Sequence, residues 1–250
     1  MQDINIKFLY KFGKKEHLQS LENGCVMFRS AKDYRDMERK SKIKGIGDSR
    51  DTAMAYPRNA GSIKNNLFVK VEGREFFEAD FIEMTVSDSY TSNLPMFCCS
   101  YAGVDNMLYD EAQKSYKLQF DAEEKDKLLK MCKDVGYDSV LLFSAGGFMY
   151  ALEDAVKPNR IIYNTVSYLE AEQRQRRQIE LEEQMGSLEV CFIKDQLFAY
   201  QREFRILIEN NTIKVPHFVN IGPISNVGIF EVENFLNANF SAKHKVGENT

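Results

Sequence analysis

Two cysteines at CxxC spacing are nowhere to be found in this chain, and its three histidines, His17, His217 and His244, stand far apart with no ligand spacing. The five cysteines, Cys25, Cys98, Cys99, Cys132 and Cys191, form an odd set. Together these absences argue against a disulfide framework and a structural zinc site, so no metal is expected. No apolar run approaches the roughly 18 residues of a membrane span. The opening "MQDINIKFLYKF" lacks the basic-then-apolar pattern of a secretory signal, which makes the cytoplasm the expected location. A net charge of −4 excludes the broad basic surface of a general nucleic-acid binder while leaving room for a local basic groove. Familiar chemical motifs are missing as well. Gly45-Ile46-Gly47-Asp48 is followed by no GK[ST], "SAGG" at 144–147 lacks the spacing of a dinucleotide fingerprint, and no nucleophile elbow is present. Cys98-Cys99 has no nearby histidine and an apolar neighbourhood, the setting of buried structural thiols.

What remains is a chain rich enough in apolar side chains for a real core and patterned in short strands with a few helices. "INIKFLYKF", "CVMFRS", "NLFVKV", "REFFEADFIEMTV", "PMFCCSYA", "YKLQFD", "DSVLLFSAG", "RIIYNTVSY", "EFRILIE", "IKVPHFV" and "VGIFEVENF" read as strands. "KKEHLQSLENG" and "AEEKDKLLKMCKDVG" read as helices with Gly24 and Gly136 as left-handed stops. "LEAEQRQRRQIELEEQMG" is a polar helix, either a solvated face or a docking helix. This pattern predicts one α+β domain over 1–240, with a polar, glycine-punctuated insertion at 31–61 and a tail at 241–250. The insertion fits a loop over a cleft and a disordered segment equally well.

One strand poses a chemical question. In "EFRILIE", Phe204, Ile206 and Ile208 share one side while Glu203, Arg205 and Leu207 share the other. A carboxylate and a guanidinium beside a leucine fit either a solvent-facing surface or a site.

Four stretches, in order, carry a resemblance. "FLYKF…LENGCVMFRSAKDYRD" resembles the opening of a large bacterial family written with a "YHYT" strand and an "fND" segment. "PMFCCSYAGVDNMLYDEAQKSYKLQFD" is similar to that family's "CFS" segment, "RIIYNTVSY" to its "kV.Y" strand, and "YQREFRIL" to its "E.EyR" strand. The likeness spans roughly residues 8 to 209. The family is related to ADP-ribosyltransferase-fold enzymes, among them nucleic-acid-modifying toxins and phage-defence proteins. The chain departs from the pattern where Lys11 stands for the first-strand histidine, Leu108 for a tryptophan and Ser115 for a glycine.

The resemblance implies a mixed, mostly antiparallel split sheet with flanking helices, and NAD as cofactor. It implies Glu203 as the catalytic carboxylate, stabilising positive charge on the ribose as nicotinamide leaves. Arg205 would position Glu203 or meet a phosphate. Tyr10, Lys11 and Phe12 would hold the nicotinamide–ribose portion, with Lys11 able to donate a hydrogen bond but not to stack. Ser100 would support the pocket, Tyr34 would stack, and Arg29 or Arg35 would anchor the pyrophosphate. The implied activity is ADP-ribosyl transfer by a phage-defence or toxin–antitoxin effector. Its acceptor would be RNA or DNA, for which the stretch with Arg35, Arg39, Lys40, Lys42, Lys44 and Arg50 beside Tyr34 and Tyr56 offers charge and rings. NAD glycohydrolysis and a non-catalytic binding module of the same fold are the alternatives. A toxin needs an antitoxin or inhibitory partner, with 168–185 and 31–61 as expected contact segments.

Overall fold

The computed structural model describes residues 6–41, 53–57, 70–71, 74–75, 83–87, 89–103, 107–112, 115–170, 173, 177, 187–238 and 240–243. Strand β1 (Ile6–Gly13) alternates as its sequence requires, Tyr10 and Phe12 to one side and Leu9 to the other. Helix α1 (Lys15–Glu22) buries Leu18 and Leu21, one turn apart, and the chain then turns through Gly24 at φ +91° into β2 (Cys25–Phe28). Next comes a departure from expectation. The polar insertion opens not as a loop but as helix α2 (Ala31–Ser41), with Ala31 and Arg35 on its buried side. Its start is fixed by a reciprocal cap: Ser30 N–H donates to Asp33 Oδ2 at 3.1 Å, and Asp33 N–H to Ser30 Oγ at 3.1 Å.

Four short strands follow, β3 (Ala53–Pro57), β4 (Lys70–Val71), β5 (Arg74–Glu75) and β6 (Glu83–Ser87), paired β3 with β6 and β4 with β5. After α3 (Ser89–Asn93) come β7 (Met96–Gly103), β8 (Met107–Asp110) and β9 (Ser115–Leu118). Helix α4 (Ala122–Val135) has a full capping box between Asp121 and Glu124 and ends on left-handed Gly136. Strand β10 (Ser139–Ser144) runs directly into α5 (Ala145–Ala155), a helix that Gly146 and Gly147 hid from propensity. Then come β11 (Ile161–Thr165), β12 (Ser167–Leu169), β13 (Ile193–Asp195), β14 (Glu203–Ile208), β15 (His217–Asn220) and β16 (Val227–Glu231). Two 3₁₀ turns, Leu188–Phe192 and Gln196–Gln201, flank β13. "VGIFEVENF", expected as one strand, divides into β16 and helix α6 (Val232–Asn237), whose Val232, Phe235 and Leu236 follow helical spacing into the core. Where the tail was expected, β17 (Phe240–Lys243) pairs with β9. The charged helix expected from Leu169 onward falls almost wholly outside the described residues.

The architecture is α+β: a six-stranded sheet in the order β11-β14-β7-β1-β10-β16, antiparallel at every pairing and flanked by helices. One face packs Leu9, Phe97, Leu141, Phe143, Phe204 and Ile206 against α1, α5, β2 and β15. The other packs Tyr10, Phe12 and Val140 against α4 and α6. Farther along that face, Met96 and Leu207 meet Val190, Cys191, Phe192 and Ile193. Among the described residues no helix is long and apolar enough to cross a membrane.

A fork between the two central strands positions everything that follows. The β1–β7 ladder runs from Ile6/Gly103 only to Tyr10/Ser100. Beyond it β1 continues against β10 as far as Gly13/Ser139, while β7 continues against β14 as far as Met96/Leu207. The end of β7 is covered instead by a bridge from Arg29 to Met96.

Below the fork, β2 and β15 are held close by glycine. A Cβ built on Gly24 would stand 2.0 Å from the Gly222 carbonyl oxygen, and Gly24 is already left-handed. Gly24→Ala is therefore expected to cost at least ~2 kcal/mol. Urea unfolding checks this, and a loss below about 0.5 kcal/mol, the range of an ordinary surface change, would show that the two segments are not pinned there.

Candidate functional site

At the fork three cross-strand partners stand in a row: Glu203 on β14 faces Ser100 on β7, and Ser100 faces Tyr10 on β1. Glu203, Arg205 and Leu207 project from one side of β14, as the alternation of "EFRILIE" requires, and that side is interior. Arg205 is fully buried, and the Glu203 side chain is 11% exposed. Burying a carboxylate without compensation is prohibitive, so the compensation defines the site. Arg205 Nε donates to Oε1 at 3.1 Å and its Nη2 to Oε2 at 3.2 Å, a two-pronged grip. Lys194 Nζ, from β13, donates to Oε2 at 3.0 Å and to Gln201 Oε1 at 2.7 Å. Arg205 Nη1 also donates to the Cys191 carbonyl at 2.6 Å, tying the strand to the 3₁₀ turn beneath it. The Glu203 backbone N–H donates to Tyr168 Oη at 2.8 Å.

Burial alone would raise the Glu203 pKa, but Arg205 and Lys194 overcome it and hold the carboxyl well below the usual carboxylate range. Glu203 is thus an ionised acceptor at any physiological pH. A carboxylate offers about four lone-pair positions. The three cation donors above occupy one on Oε1 and two on Oε2, so Oε1 retains capacity for one further donor.

The residue before Glu203 carries strain. Arg202 ends the 3₁₀ turn in the left-handed region at φ 44°, ψ 54°, which costs a side-chain-bearing residue roughly 1–2 kcal/mol. Its guanidinium is anchored by Glu124, with Nε to Oε1 at 3.0 Å and Nη2 to Oε2 at 2.6 Å, and lies 5.1 Å from the centre of the Phe120 ring. The same Glu124 closes the capping box of α4, so this helix start and the turn into β14 share one carboxylate.

Where β1 and β7 part, a cleft of about 350 Å³ opens, lined by Lys11, Phe12 and Lys14 from the β1 end, Arg29 and Tyr34 from the β2–α2 segment, and Tyr137 after α4, among others. Its cationic residues are Lys11, Lys14 and Arg29, with His17 nearby, and no carboxylate lies among its lining residues within the described part of the chain. Lys11 Nζ reaches across the fork to the Cys98 carbonyl and sits 4.8 Å from the centre of the Phe97 ring, leaving two of its three donors for other acceptors. The Arg29 guanidinium takes no hydrogen bond or ion pair among the described residues. Tyr34 borders both regions: burial raises its phenol well above the usual range, and the charges of Cys98 and Glu203 add to that. It stays a neutral donor.

The candidates from sequence therefore do not share one place. Glu203, Arg205 and Ser100 meet at the row, while Lys11, Phe12, Arg29 and Tyr34 share the cleft. Tyr10 stands apart from the cleft, wholly buried among Phe12, Phe120 and Phe235. The other proposed anchor, Arg35, is buried and donates to Ser92 Oγ at 3.2 Å, away from the cleft lining. Of the insertion's further basic residues, Lys42, Lys44 and Arg50 lie outside the described residues, as does the side chain of Tyr56. Burial pushes the Cys99 thiol up to about 12, the inert state expected for a core cysteine. Among the described residues no group of three or more His, Cys, Asp or Glu side chains is placed to hold a metal ion. Sequence reading missed Lys194, Gln201 and Tyr168. Lys194 had a signal, a lone lysine closing the apolar run "VCFI", whereas nothing local marks Tyr168.

No family model, curated protein or solved structure matches the chain.

Removing one partner of a buried ion pair leaves the other uncompensated, at about 3–5 kcal/mol. Arg205→Met is expected to lose that much in urea unfolding, against less than ~1 kcal/mol for Lys127→Met, whose partner Glu123 is exposed.

Proposed function

We propose that the chain is an NAD-dependent ADP-ribosyltransferase, with the cleft at the fork taking the dinucleotide and Glu203 serving the reaction. The observation that carries this reading is the pairing of two environments. A cleft with cations, tyrosines and apolar side chains, and no carboxylate among its described lining residues, suits a ligand with phosphates and flat rings. Glu203, a preorganised carboxylate with one acceptor position open, is not itself among the lining residues; Tyr34, which lines the cleft and feels the Glu203 charge, links the two. Arg29 and Lys11 would meet the pyrophosphate, and Tyr34 would pack on a ring. Departure of nicotinamide leaves positive charge on the ribose carbon, and a fixed carboxylate stabilises that charge or holds a ribose hydroxyl. Held by two cations, Glu203 is a poor proton acceptor, so its part is electrostatic and orienting rather than that of a general base.

The acceptor we propose is RNA or DNA, and the biological role that of a phage-defence or toxin–antitoxin effector restrained by a partner protein. Support for the acceptor is the basic Arg39 and Lys40 at the end of α2, on the helix that also carries Tyr34. A second reading, a binding module of the same fold without turnover, draws on the same cluster: two cations neutralise the charge that would help the ribose.

Incubation of the protein with labelled NAD, alone and with cellular RNA, DNA or protein, separates these readings. Label on one polymer supports transfer, free ADP-ribose without acceptor supports glycohydrolysis, and unchanged NAD supports the module. Glu203→Gln, checked for folding by circular dichroism, is expected to lower turnover by about 100-fold or more. If it retains wild-type turnover, the catalytic assignment of Glu203 is wrong. Arg29→Ala is expected to weaken NAD binding about ten-fold, the worth of one charge-assisted contact, measured by calorimetry.

A further inference from the structure

We infer that Lys194 is a positioning residue for Glu203, fixing Oε2 so that the carboxylate is held ionised and presents only Oε1 to a ligand. The functional part of this inference rests on the transferase reading above; the electrostatic part stands on geometry alone. Arg205 on the same strand grips both carboxylate oxygens while its Nη1 also serves the Cys191 carbonyl. Lys194 comes from a different strand, is itself 4% exposed, and adds a second donor to Oε2 only. Saturating one oxygen while leaving capacity on the other defines which atom a ribose hydroxyl can approach. The lysine is in turn oriented by Gln201, and its strand pairs in parallel with β12 at Tyr168/Lys194. Tyr168 then accepts the Glu203 backbone N–H. Carboxylate, lysine and backbone thereby form one closed arrangement across β12, β13 and β14.

The groups facing Glu203 make its titration readable. Arg205 lies on its own strand, Lys194 on β13, Gln201 in the adjoining turn, Tyr168 on β12, Ser100 and Cys99 on β7, and Tyr34 on α2. Burial keeps Tyr168 and Tyr34 well above their usual range and Cys99 at about 12, so among these facing groups only Glu203 changes charge in acid. The sign follows from linkage. A carboxyl whose folded pKa is depressed contributes stability that is complete above its unfolded value, near 4.3, and is lost as pH falls toward the folded value. Removing Lys194 raises the folded value, so the stability difference between wild type and variant is full at neutral pH and shrinks only as pH falls through the variant's folded value.

The test is thermal melting of wild type, Lys194→Met and Lys194→Arg from pH 7 to pH 2. We expect Lys194→Met to melt roughly 5 °C lower at pH 7, with that gap narrowing at the acid end as pH falls through the variant's folded value, and Lys194→Arg to recover most of it. A gap that stays constant with pH would reduce Lys194 to packing and overturn the inference. The double variant with Glu203→Gln guards against a misfolded single variant. If Lys194→Met fails to fold while the double variant folds, the coupling holds; if both fail, it does not. In turnover, Lys194→Met should show an acid limb of kcat/KM that begins at higher pH than in wild type, with KM for NAD little changed. An unchanged limb together with a pH-dependent melting gap would remove the positioning role. Absence of NAD turnover in wild type would overturn the transferase reading and leave the melting series to judge the electrostatic lock.

Discussion

A carboxylate gripped by two buried cations sets the terms for the whole interior of this protein. Glu203 and Arg205 stand two residues apart on a strand whose every side chain is buried, and Lys194 approaches from a separate strand. Each of these charges would be costly alone in the interior; together, with Gln201 and the Cys191 carbonyl, they are satisfied. Satisfaction demands that β14, β13 and the 3₁₀ turn at Leu188–Phe192 keep fixed relative positions. Apolar packing of Met96 and Leu207 on Val190 and Ile193 is non-directional and would tolerate sliding. The charge cluster does not.

Around that fixed point the sheet divides. A regular six-stranded antiparallel sheet would cover the ends of β1 and β7 with each other; here their ladder stops at Tyr10/Ser100, and the space beyond is lined by cations and tyrosines together with apolar side chains such as Leu18, Met27 and Phe97. From β1 the Lys11 ammonium reaches over to β7, at the Cys98 carbonyl. The division opens a cleft in which cations and tyrosines stand beside apolar side chains from both faces of the sheet, Leu18 and Phe97 from one and Phe12 from the other.

Much of this was legible in the chain. The alternation in "EFRILIE" assigned Glu203 and Arg205 to one face correctly, and "LENGCV" and "DVGYDS" marked helix ends that the structure places at Gly24 and Gly136. Which face was buried was not legible, since a strand carrying charges on one side reads the same whether water or Lys194 answers them. The helix α2 was overlooked because its signal was a cap, Ser30 with Asp33, rather than an apolar stripe. In α5 the pair Gly146-Gly147 masked a helix that is stabilised by Phe148 and Leu152 in the core. Tyr10 illustrates the opposite error, because an aromatic beside the cleft residues Lys11 and Phe12 faces away, into its own cluster of rings. Tertiary neighbours, not local pattern, decided each of these.

The order of strands in the sheet has a consequence for synthesis. Strand β1, one of the two central strands, precedes its partners β7 and β10 in the chain, and the row through Ser100 is finished only by β14, which begins at residue 203. Most of the ladder joins segments far apart along the chain, so loop closure must precede any reward from pairing. An emerging polypeptide therefore holds no assembled carboxylate, lysine and arginine until β14 has followed β13, and a product that ends before Glu203 has no means of forming them.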